Sequence, residues 1–358
     1  MTMRPATPHP RRREGGVALL LVMSVVFVLA ALAAGFAWSM RVEGVLARNF
    51  NQDADMEWLG RSGVEFAKWW LSAEMLGGEG RQFDSLNQGW AGGVGSATNE
   101  ILAGASLTGN QLGRGRFSVA ITDMERRLNI NRADRIVLEN ALALVGADAT
   151  SAGVIVDSIL DWRDANGDPG VAGAESDDYY LRLDPPYYAK NGPIDHLTEL
   201  LLIRGVTPEI FCGPNATNGL ARDHVLAQHR LQNPDEILPT LGLADLFTSV
   251  SGPSINLNTC SLEVIQLSGV DPTVAQMVLN TRRGPDGLDG TEDDMPFPQV
   301  GLAPFPPEYQ NVLRLFGVRS LVFEIIVTCE LNGETRSYRA LVRRNNQRDI
   351  QTLLFHQL

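Results

Sequence analysis

A cluster of acidic side chains in the segment DWRDANGDPGVAGAESDDYY (161–180) is the feature with the clearest chemical meaning. Counted from Asp164, oxygen-bearing side chains stand at positions 1, 3, 5 and 12: Asp164, Asn166, Asp168 and Glu175. This is the ligand spacing of a calcium-binding EF-hand loop, because Ca²⁺ takes six to eight oxygen ligands and alternate residues of a curled loop point inward. The spacing therefore predicts a site for Ca²⁺, with one or two ions.

The acidic loop departs from an EF-hand at position 6, where Pro169 replaces the glycine of the sharp turn. We therefore expect a loop with similar ligand order rather than a true EF-hand, with Asp177 and Asp178 as further candidate ligands. The alternative is a solvated acidic loop without a metal, which is the commoner meaning of a run of carboxylates. A second acidic stretch, GPDGLDGTEDD (284–294), is either another metal loop or a polar, glycine-rich turn.

A weak internal repeat lies in the helical material that contains these two acidic stretches. Its copies are LNINRADRIVLENALALVGADATSAGVIVDSIL, with a turn at Gly146, and INLNTCSLEVIQLSGVDPTVAQMVLNTRRG, with a turn at Gly269. Each copy predicts a helix, a tight turn and a second helix, with the second Asn of LNIN or INLN as the first N-cap. The pattern resembles the helix-hairpin-helix module, which in many proteins holds a DNA phosphate with the N–H groups of its turn. Asp148 and Asp271 place negative charge at these turns, which favours a packing role over DNA binding.

Strand signals on both sides of this helical material indicate the fold class. RFSVAITD (116–123) alternates polar and apolar residues, and LVFEIIVTCELNGETRSYRALVRR (321–344) holds two such runs around Asn332-Gly333, a strong hairpin signal. Because a lone hairpin is marginally stable in water, the earlier strand is its expected partner. We therefore predict an α+β fold with a long N-terminal helix, a small antiparallel sheet and a large α-helical insertion with two helix-hairpin-helix-like units. The predicted segments are a leader (1–16), a transmembrane and stalk helix (17–76), the first part of the sheet domain (77–123), an inserted helical domain with the calcium loop (124–318) and the C-terminal strands (319–358).

The N-terminal segment GGVALLLVMSVVFVLAALAAGFAWSM (15–40) carries no charge and is long enough to span a bilayer, which takes ~20 apolar residues. Arginines precede it, so we expect the N-terminus in the cytoplasm and the bulk of the chain across the membrane. Three interpretations compete: a secretory signal cleaved near ALA (31–33), an uncleaved anchor, and a prepilin-type leader cut after Gly16. The third is favoured because it explains the glycine pair before the apolar run, and it leaves the apolar helix on a mature chain that starts at Val17.

Composition excludes several classes of function. The net charge of −12 disfavours a nucleic-acid partner, because most such affinity comes from neutralising phosphates. No G-x-S-x-G, P-loop, H-E-x-x-H or dinucleotide motif is present and the five histidines are scattered, so we expect no enzymatic activity. Cys212, Cys260 and Cys329 lie far apart, which argues against a zinc site, and in an oxidising compartment they leave one disulfide of open pairing.

In combination, these motifs resemble the K-type minor pseudopilins of type II secretion systems (general secretion pathway protein K). The motifs are the leader followed by GVALLL, then LNIN, LDWRDANGDPGVAGAESDDYYL, PPYYAKNGPIDHLTELLLIRGVTPEIF and INLNT. The resemblance covers most of the chain and is weakest in 77–115 and 212–250. It departs from the family pattern at Val17, where the first mature residue is usually Phe or Met.

The resemblance implies a pilin-like sheet domain and a structural role in protein export, at the tip of a periplasmic pseudopilus. It implies a single-pass anchor in the bacterial inner membrane and assembly with the I- and J-type minor pseudopilins and the major pseudopilin. Prepilin peptidase would cut after Gly16 and N-methylate Val17, and the acidic loop would bind calcium. Leu21 stands where major pilins carry Glu; a subunit without a partner above it is expected to omit that carboxylate, which is costly in a bilayer. The alternative function is a membrane-anchored helix-hairpin-helix protein that binds or takes up DNA.

Overall fold

The computed structural model describes residues 15–77, 82–94, 99–213 and 241–358, without the side chains of 15–16 and 45–51. Most of the predicted leader, 1–14, therefore lies outside the described residues. The chain divides into two compact units, Met1–Trp58 and Leu59–Leu358. The boundaries predicted for the five sequence segments stay predictions.

The first helix, α1, runs from Gly15 to Leu76. No proline interrupts it, so its backbone hydrogen bonds can continue for 62 residues. Among the described residues, α1 contains the one stretch that is long and apolar enough to cross a membrane, Val17–Gly44, and the side chains of this stretch are exposed. The long apolar N-terminal helix predicted from the sequence is confirmed.

The second unit contains a five-stranded antiparallel sheet in the order β1-β2-β7-β8-β9. In chain order, the strands within the described ranges are β1 (Asn110–Leu112), β2 (Gly115–Asp123), β3 (Leu128–Asn129), β4 (Phe247–Thr248), β5 (Ile255–Asn256), β6 (Phe316–Gly317), β7 (Val322–Leu331), β8 (Glu334–Asn346) and β9 (Asp349–Gln357). Phe117 of β2 lies opposite Cys329 of β7, so the early strand pairs with the C-terminal hairpin as predicted. Asn332 and Gly333 have φ of 53° and 87°, the left-handed values that a two-residue hairpin turn requires.

Helices occupy the chain between β2 and β7. They are α2 (Arg135–Leu144), α3 (Ala149–Arg163), α4 (Pro208–Cys212), α5 (Leu243–Leu246), α6 (Leu262–Gln266) and α7 (Pro272–Arg282). Short 3₁₀ turns are Gly89–Ala91, Ile130–Arg132, Tyr180–Arg182, Leu197–Leu202, Val300–Leu302, Pro307–Tyr309 and Leu313–Leu315. Apolar side chains of these helices and of the segments between them, among them Ile155, Trp162, Phe247 and Leu257, form one buried core. The predicted fold class, an antiparallel sheet combined with this helical material, is confirmed.

The two copies of the repeat each form a pair of helices joined at a glycine. Gly146 (φ 78°) lies between α2 and α3, and Gly269 (φ 80°) lies between α6 and α7. The N-cap prediction is wrong: Asp134 caps α2 and Ser261 caps α6, because these residues immediately precede the first helical turn. The second Asn of each motif makes other bonds, which fix the segments that follow the acidic stretches.

All three cysteines are buried and free in the structure. Burial raises the pKa of the Cys260 and Cys329 thiols to about 11, which keeps both in the unreactive thiol form. The disulfide that the composition leaves open is therefore not part of this fold.

Candidate metal centre

The acidic loop begins where α3 ends. Asp164 is the C-cap residue of α3, and its Oδ1 accepts the N–H of Asn166 at 3.1 Å. Oδ1 of Asn166 in turn accepts the N–H of Asp168 at 2.8 Å. Two successive side-chain turns of this kind curl the chain, so positions 1, 3 and 5 of the predicted ligand order share one short arc.

Two carboxylates from the last turns of α3 hold the rest of the loop. Asp161 is buried and accepts the N–H groups of Gly170 at 3.0 Å and Ala174 at 2.9 Å. Asp157 accepts a hydrogen bond from the N–H of Ala172 at 2.9 Å and forms an ion pair with Arg135. These two residues were not among the predicted site residues, although their spacing of four on a helix places them on one face.

Close packing around Asp161 requires glycine in the loop. A Cβ atom at Gly173 would lie 1.8 Å from Oδ2 of Asp161, so no other residue fits there without moving the loop. An EF-hand loop has glycine at position 6, where this loop has Pro169. Here the position that requires glycine is position 10, Gly173. The curvature of this loop therefore depends on contacts with Asp161 that an EF-hand loop does not require.

Glu175, at position 12, is the strongest indication of a cation. It is 2% exposed, and both of its carboxylate oxygens are buried without a hydrogen-bond partner. Burial raises the pKa of Glu175, and the negative charges of Asp161 and Asp164 raise it further. Because a buried charge without a partner is strongly unfavourable, a positive group beside the Glu175 carboxylate would stabilise its ionised form.

Asn191 supplies a further oxygen on the same side of the loop. Its Nδ2 donates to the carbonyl of Asn166 at 2.6 Å, and its Oδ1 is buried without a partner. The Asn191 side chain also lies close enough to lower the pKa of Glu175, although no donor of it meets hydrogen-bond geometry to either Glu175 oxygen. Unpaired carboxylate and amide oxygens are ligands that Ca²⁺ prefers, so the donor set fits this ion.

The six predicted ligands share one loop but do not converge on one point. No group of three or more His, Cys, Asp or Glu side chains within the described ranges is arranged to hold a metal ion. The exposed Asp178 accepts the N–H of Glu175 at 2.8 Å, and Asp177 is exposed beside it. Calcium binding by this loop thus stays a prediction.

In the second acidic stretch, two arginines balance the negative charge of Asp289. Asp289 accepts from Nη2 of Arg282 at 2.7 Å and from Nη2 of Arg283 at 2.9 Å. Burial alone would raise the pKa of Asp289, but the two guanidinium groups outweigh it and the pKa is lowered. Asp293 and Asp294 accept backbone N–H groups of Asp286 and Gly290, so these side chains also shape a turn.

The two copies of the repeat correspond bond by bond. Arg163, at the end of α3, donates to the carbonyls of Ile130 and Ala133. Arg282, at the end of α7, donates to the corresponding carbonyls of Leu257 and Cys260. Asn131 and Asn258 likewise exchange two amide hydrogen bonds with the backbone of Ile194 and Phe297. Arg282 also pairs with Asp289, whereas Arg163 has no ion-pair partner within the described residues. Asp164 stands where the second copy has Arg283.

Comparison with known proteins relates this geometry to one family. Residues 115–212, which include β2, the first helical pair and the acidic loop, match the family described as type II secretion system (T2SS), protein K. Type II secretion system protein K of Pectobacterium carotovorum subsp. carotovorum is 26% identical over 224 residues, and that of Klebsiella pneumoniae is 25% identical over 213 residues. Each match covers 56% of this chain, and the chain spans 61% and 60% of the length of these relatives.

A solved structure has the same fold. One chain of the crystal structure of the GspK-GspI-GspJ complex from the enterotoxigenic Escherichia coli type 2 secretion system aligns with a TM-score of 0.61 and 17% identity. The alignment covers 87% of this chain and 98% of that chain. The predicted resemblance to protein K of type II secretion is confirmed.

The turns of the two hairpins carry carboxylates that accept backbone N–H groups of the turns. Oδ1 of Asp148 accepts the N–H groups of Thr150 and Ser151, both at 3.0 Å. Oδ1 of Asp271 accepts the N–H of Thr273 at 2.8 Å. The backbone donors that a phosphate would need are therefore taken by the carboxylates of the turns themselves.

The predicted processing residues lie at the start of α1. Gly16 and Val17 are helical, whereas the arginines that precede them lie outside the described residues. Val17 is also the first residue of the stretch that is apolar enough to cross a membrane. Cleavage between Gly16 and Val17 stays a prediction.

Proposed function

We propose that this protein is a K-type minor pseudopilin, a structural subunit at the tip of a type II secretion pseudopilus. The observation that carries the proposal is the match of residues 115–212 to the protein K family, since this segment contains both a sheet strand and the acidic loop. The apolar stretch Val17–Gly44 supports a single-pass anchor in the inner membrane, with the second unit in the periplasm.

Its partners are the I- and J-type minor pseudopilins, followed along the fibre by the major pseudopilin. One neighbour of known structure is a chain of the GspK-GspI-GspJ complex, which supports this choice of partners. Leu21 supports the tip position, because a subunit with nothing above it needs no carboxylate in the bilayer.

Coexpression with the I- and J-type subunits of the same secretion system tests the assembly. We expect affinity-tagged protein to retain both partners in a complex that contains one copy of each. Retention of neither partner, with all three proteins folded and inserted in the membrane, would contradict the proposal.

Calcium in the acidic loop stabilises the periplasmic unit in this proposal. The unpaired oxygens of Glu175 and Asn191 support it, as does the contrast with the second stretch, where two arginines pair with Asp289. Asp164, Asn166, Asp168 and Glu175 are the first ligands to expect, with Asp177 and Asp178 nearby.

The role is structural and not enzymatic, and it involves no nucleic acid. DNA binding or uptake, the other function considered from the sequence, is opposed by the net charge of −12 and by the carboxylates that fill both hairpin turns. Retention on DNA-cellulose at low salt would revive that alternative, because such binding depends on phosphate contacts.

A further inference from the structure

A cleft of about 290 Å³ lies between the helical segment and the sheet of the second unit, away from the acidic loop. Its walls are the segment 249–253, Leu321, Val322, Leu353, Arg132 and Arg343. Its volume lies just below the usual range for ligand cavities, ~300–1,000 Å³, which suits one or two side chains of a peptide.

Two exposed arginines, Arg132 and Arg343, line the cleft. Arg132 and Arg343 are exposed, and within the described residues neither guanidinium has an ion-pair or hydrogen-bond partner. By contrast, Arg282, Arg339 and Arg344 each pair with a carboxylate. An unpaired guanidinium offers a planar set of donors that matches a carboxylate, so two of them in one cleft favour an anionic ligand.

The apolar wall of the cleft results from an irregularity of β9. Leu341 lies opposite Leu354 and Val342 lies opposite Thr352, so Leu353 has no partner across the strands. Such a bulge redirects a side chain, and Leu353 is 50% exposed at the cleft. An apolar surface therefore lies beside the two positive charges.

Glu125, the acidic residue beneath the cleft, does not neutralise these arginines. Its carboxyl is 1% exposed and accepts the N–H groups of Gly252 at 2.5 Å and Val322 at 3.1 Å, both of which line the cleft. Burial raises the pKa of Glu125 to about 8, so the group is largely uncharged at neutral pH. The positive charge of the cleft is then available to a ligand.

We propose that this cleft binds an acidic peptide segment of a partner protein, with a carboxylate between Arg132 and Arg343 and a neighbouring apolar side chain on Leu353. The two positive charges match a carboxylate of the ligand, and the exposed side chain of Leu353 matches an apolar side chain next to that carboxylate. A membrane surface is a poorer match, because recognition of anionic lipids uses clusters of about four to eight basic residues. The site is separate from the proposed calcium loop and does not depend on it.

Fluorescence anisotropy with a labelled acetyl-Leu-Glu-Leu-Glu-amide peptide tests the site on the full chain in detergent. We expect binding that weakens as salt is added, since the contact is charged. The double variant R132Q/R343Q should lower the affinity about tenfold or more, and Leu353→Asp should lower it as well by repelling the carboxylate. The matched control R314Q/R348Q removes the same charge from exposed arginines outside the cleft and should change the affinity by less than about twofold.

Three results would overturn the proposal. They are equal binding of the peptide with Gln in place of Glu, equal loss in both double variants, or no binding of the acidic peptide at all. Vesicles of phosphatidylcholine and phosphatidylglycerol provide the remaining arm. Vesicle binding that R132Q/R343Q abolishes and the peptide does not compete with would assign the arginines to lipid and reject a peptide site.

Discussion

At the scale of single residues, the molecule shows two ways to bury a carboxylate. Asp289 lies between two guanidinium groups, and its charge is balanced within the chain. Glu175 is more deeply buried and has no donor at either oxygen. The two residues lie in corresponding acidic stretches of one repeat, and the difference supports the proposal that a cation balances Glu175.

Glu175→Gln separates the cost of this buried charge from the benefit of calcium. With Ca²⁺ at 100 times its dissociation constant, we expect the wild-type free energy of unfolding to rise by ~2.7 kcal/mol over its value in chelator. The variant should lose this increment and, in chelator, be at least as stable as the wild type, because it no longer buries a charge. Thermal unfolding with calcium and with chelator measures all four values.

The matched control is Glu292→Gln, the same change at an exposed position of the second acidic stretch. It should keep the full response to calcium, whereas Asp164→Ala should lose it as Glu175→Gln does. If chelator leaves the melting temperature of the wild type unchanged, the calcium proposal is wrong.

Glu125 gives a prediction about pH. Its pKa is about 8 in the folded protein against an ordinary value of 4.5, so between these values the folded state holds a proton that the unfolded state has lost. The free energy of unfolding therefore falls as pH rises through this window, by up to ~1.4 kcal/mol per pH unit from this group. Below pH 4.5 the contribution is fully present, and above about 8 it is lost.

Glu125→Gln should flatten this dependence, because the variant has no proton to lose. Urea unfolding of both proteins at pH 5, 6, 7 and 8 compares the slopes, which are informative even if the variant is less stable at every pH. Parallel curves for variant and wild type would show that Glu125 does not titrate in this range.

The spacing of the candidate ligands can be read from the sequence, but the contacts that support them cannot. The spacing from Asp164 to Glu175 is visible in a linear chain, since calcium loops take their ligands from nearby residues. The contacts of Asn191 to the loop and of Arg163 to the hairpin cross 25 or more residues, and only the folded chain brings them together. The spacing of Asp157 and Asp161 was the one local signal for the residues that were missed.

At the scale of elements, the packing of α1 on the sheet depends on two glycines. A Cβ atom at Gly60 would lie 2.5 Å from Cδ2 of Tyr338, and one at Gly63 would lie 2.3 Å from Cγ1 of Val327. These distances are shorter than any ordinary contact, so the helix backbone rests directly on the side chains of β7 and β8. Glycine normally lowers the stability of a helix, and here the close packing that it permits offsets that loss.

Gly63→Ala should therefore destabilise the protein, by ~1–3 kcal/mol as for other overpacked cores. The matched control is Gly153→Ala in α3, where a Cβ meets nothing within 4 Å and better helix propensity should add up to ~1 kcal/mol. Combining Gly63→Ala with Val327→Ala should recover part of the loss, because the two side chains then share one volume. Additive losses in the double variant would refute the steric explanation.

The helical hairpins illustrate which elements are readable from sequence. Gly146 and Gly269 have the positive φ that the turns need, and glycine is the residue that adopts it most easily. The parallel bridges that close each copy, β3 with β4 and β5 with β6, are two residues long and join segments far apart in the chain. Such short pairings have no pattern of alternation, so the sequence gives no sign of them.

At the scale of the whole second unit, the helical segment and the sheet meet through a buried polar cluster. Arg344 of β8 pairs with Asp84 at 2.5 Å, and both side chains are 1% exposed. Asn256 donates to the carbonyl of Asp84 and to Asp123 at the end of β2, both at 3.1 Å. Because buried charges are tolerated only with such partners, the cluster fixes how the first and last parts of the domain join.

At the scale of the whole chain, the proposed anchor depends on which processing site is used. Cleavage after Gly16 leaves the complete apolar stretch Val17–Gly44 on the mature protein. Cleavage after ALA (31–33) would leave only 34–44 of that stretch, well short of the ~20 residues that span a bilayer. Coexpression with prepilin peptidase should therefore give a membrane-bound chain that begins with N-methylated Val17, as measured by mass spectrometry of the intact protein. In cells without the peptidase, residues 1–16 should remain and the protein should stay in the membrane. A soluble periplasmic chain that starts at Ala34 would instead identify an ordinary secretory signal and remove the basis for placing this subunit in a fibre.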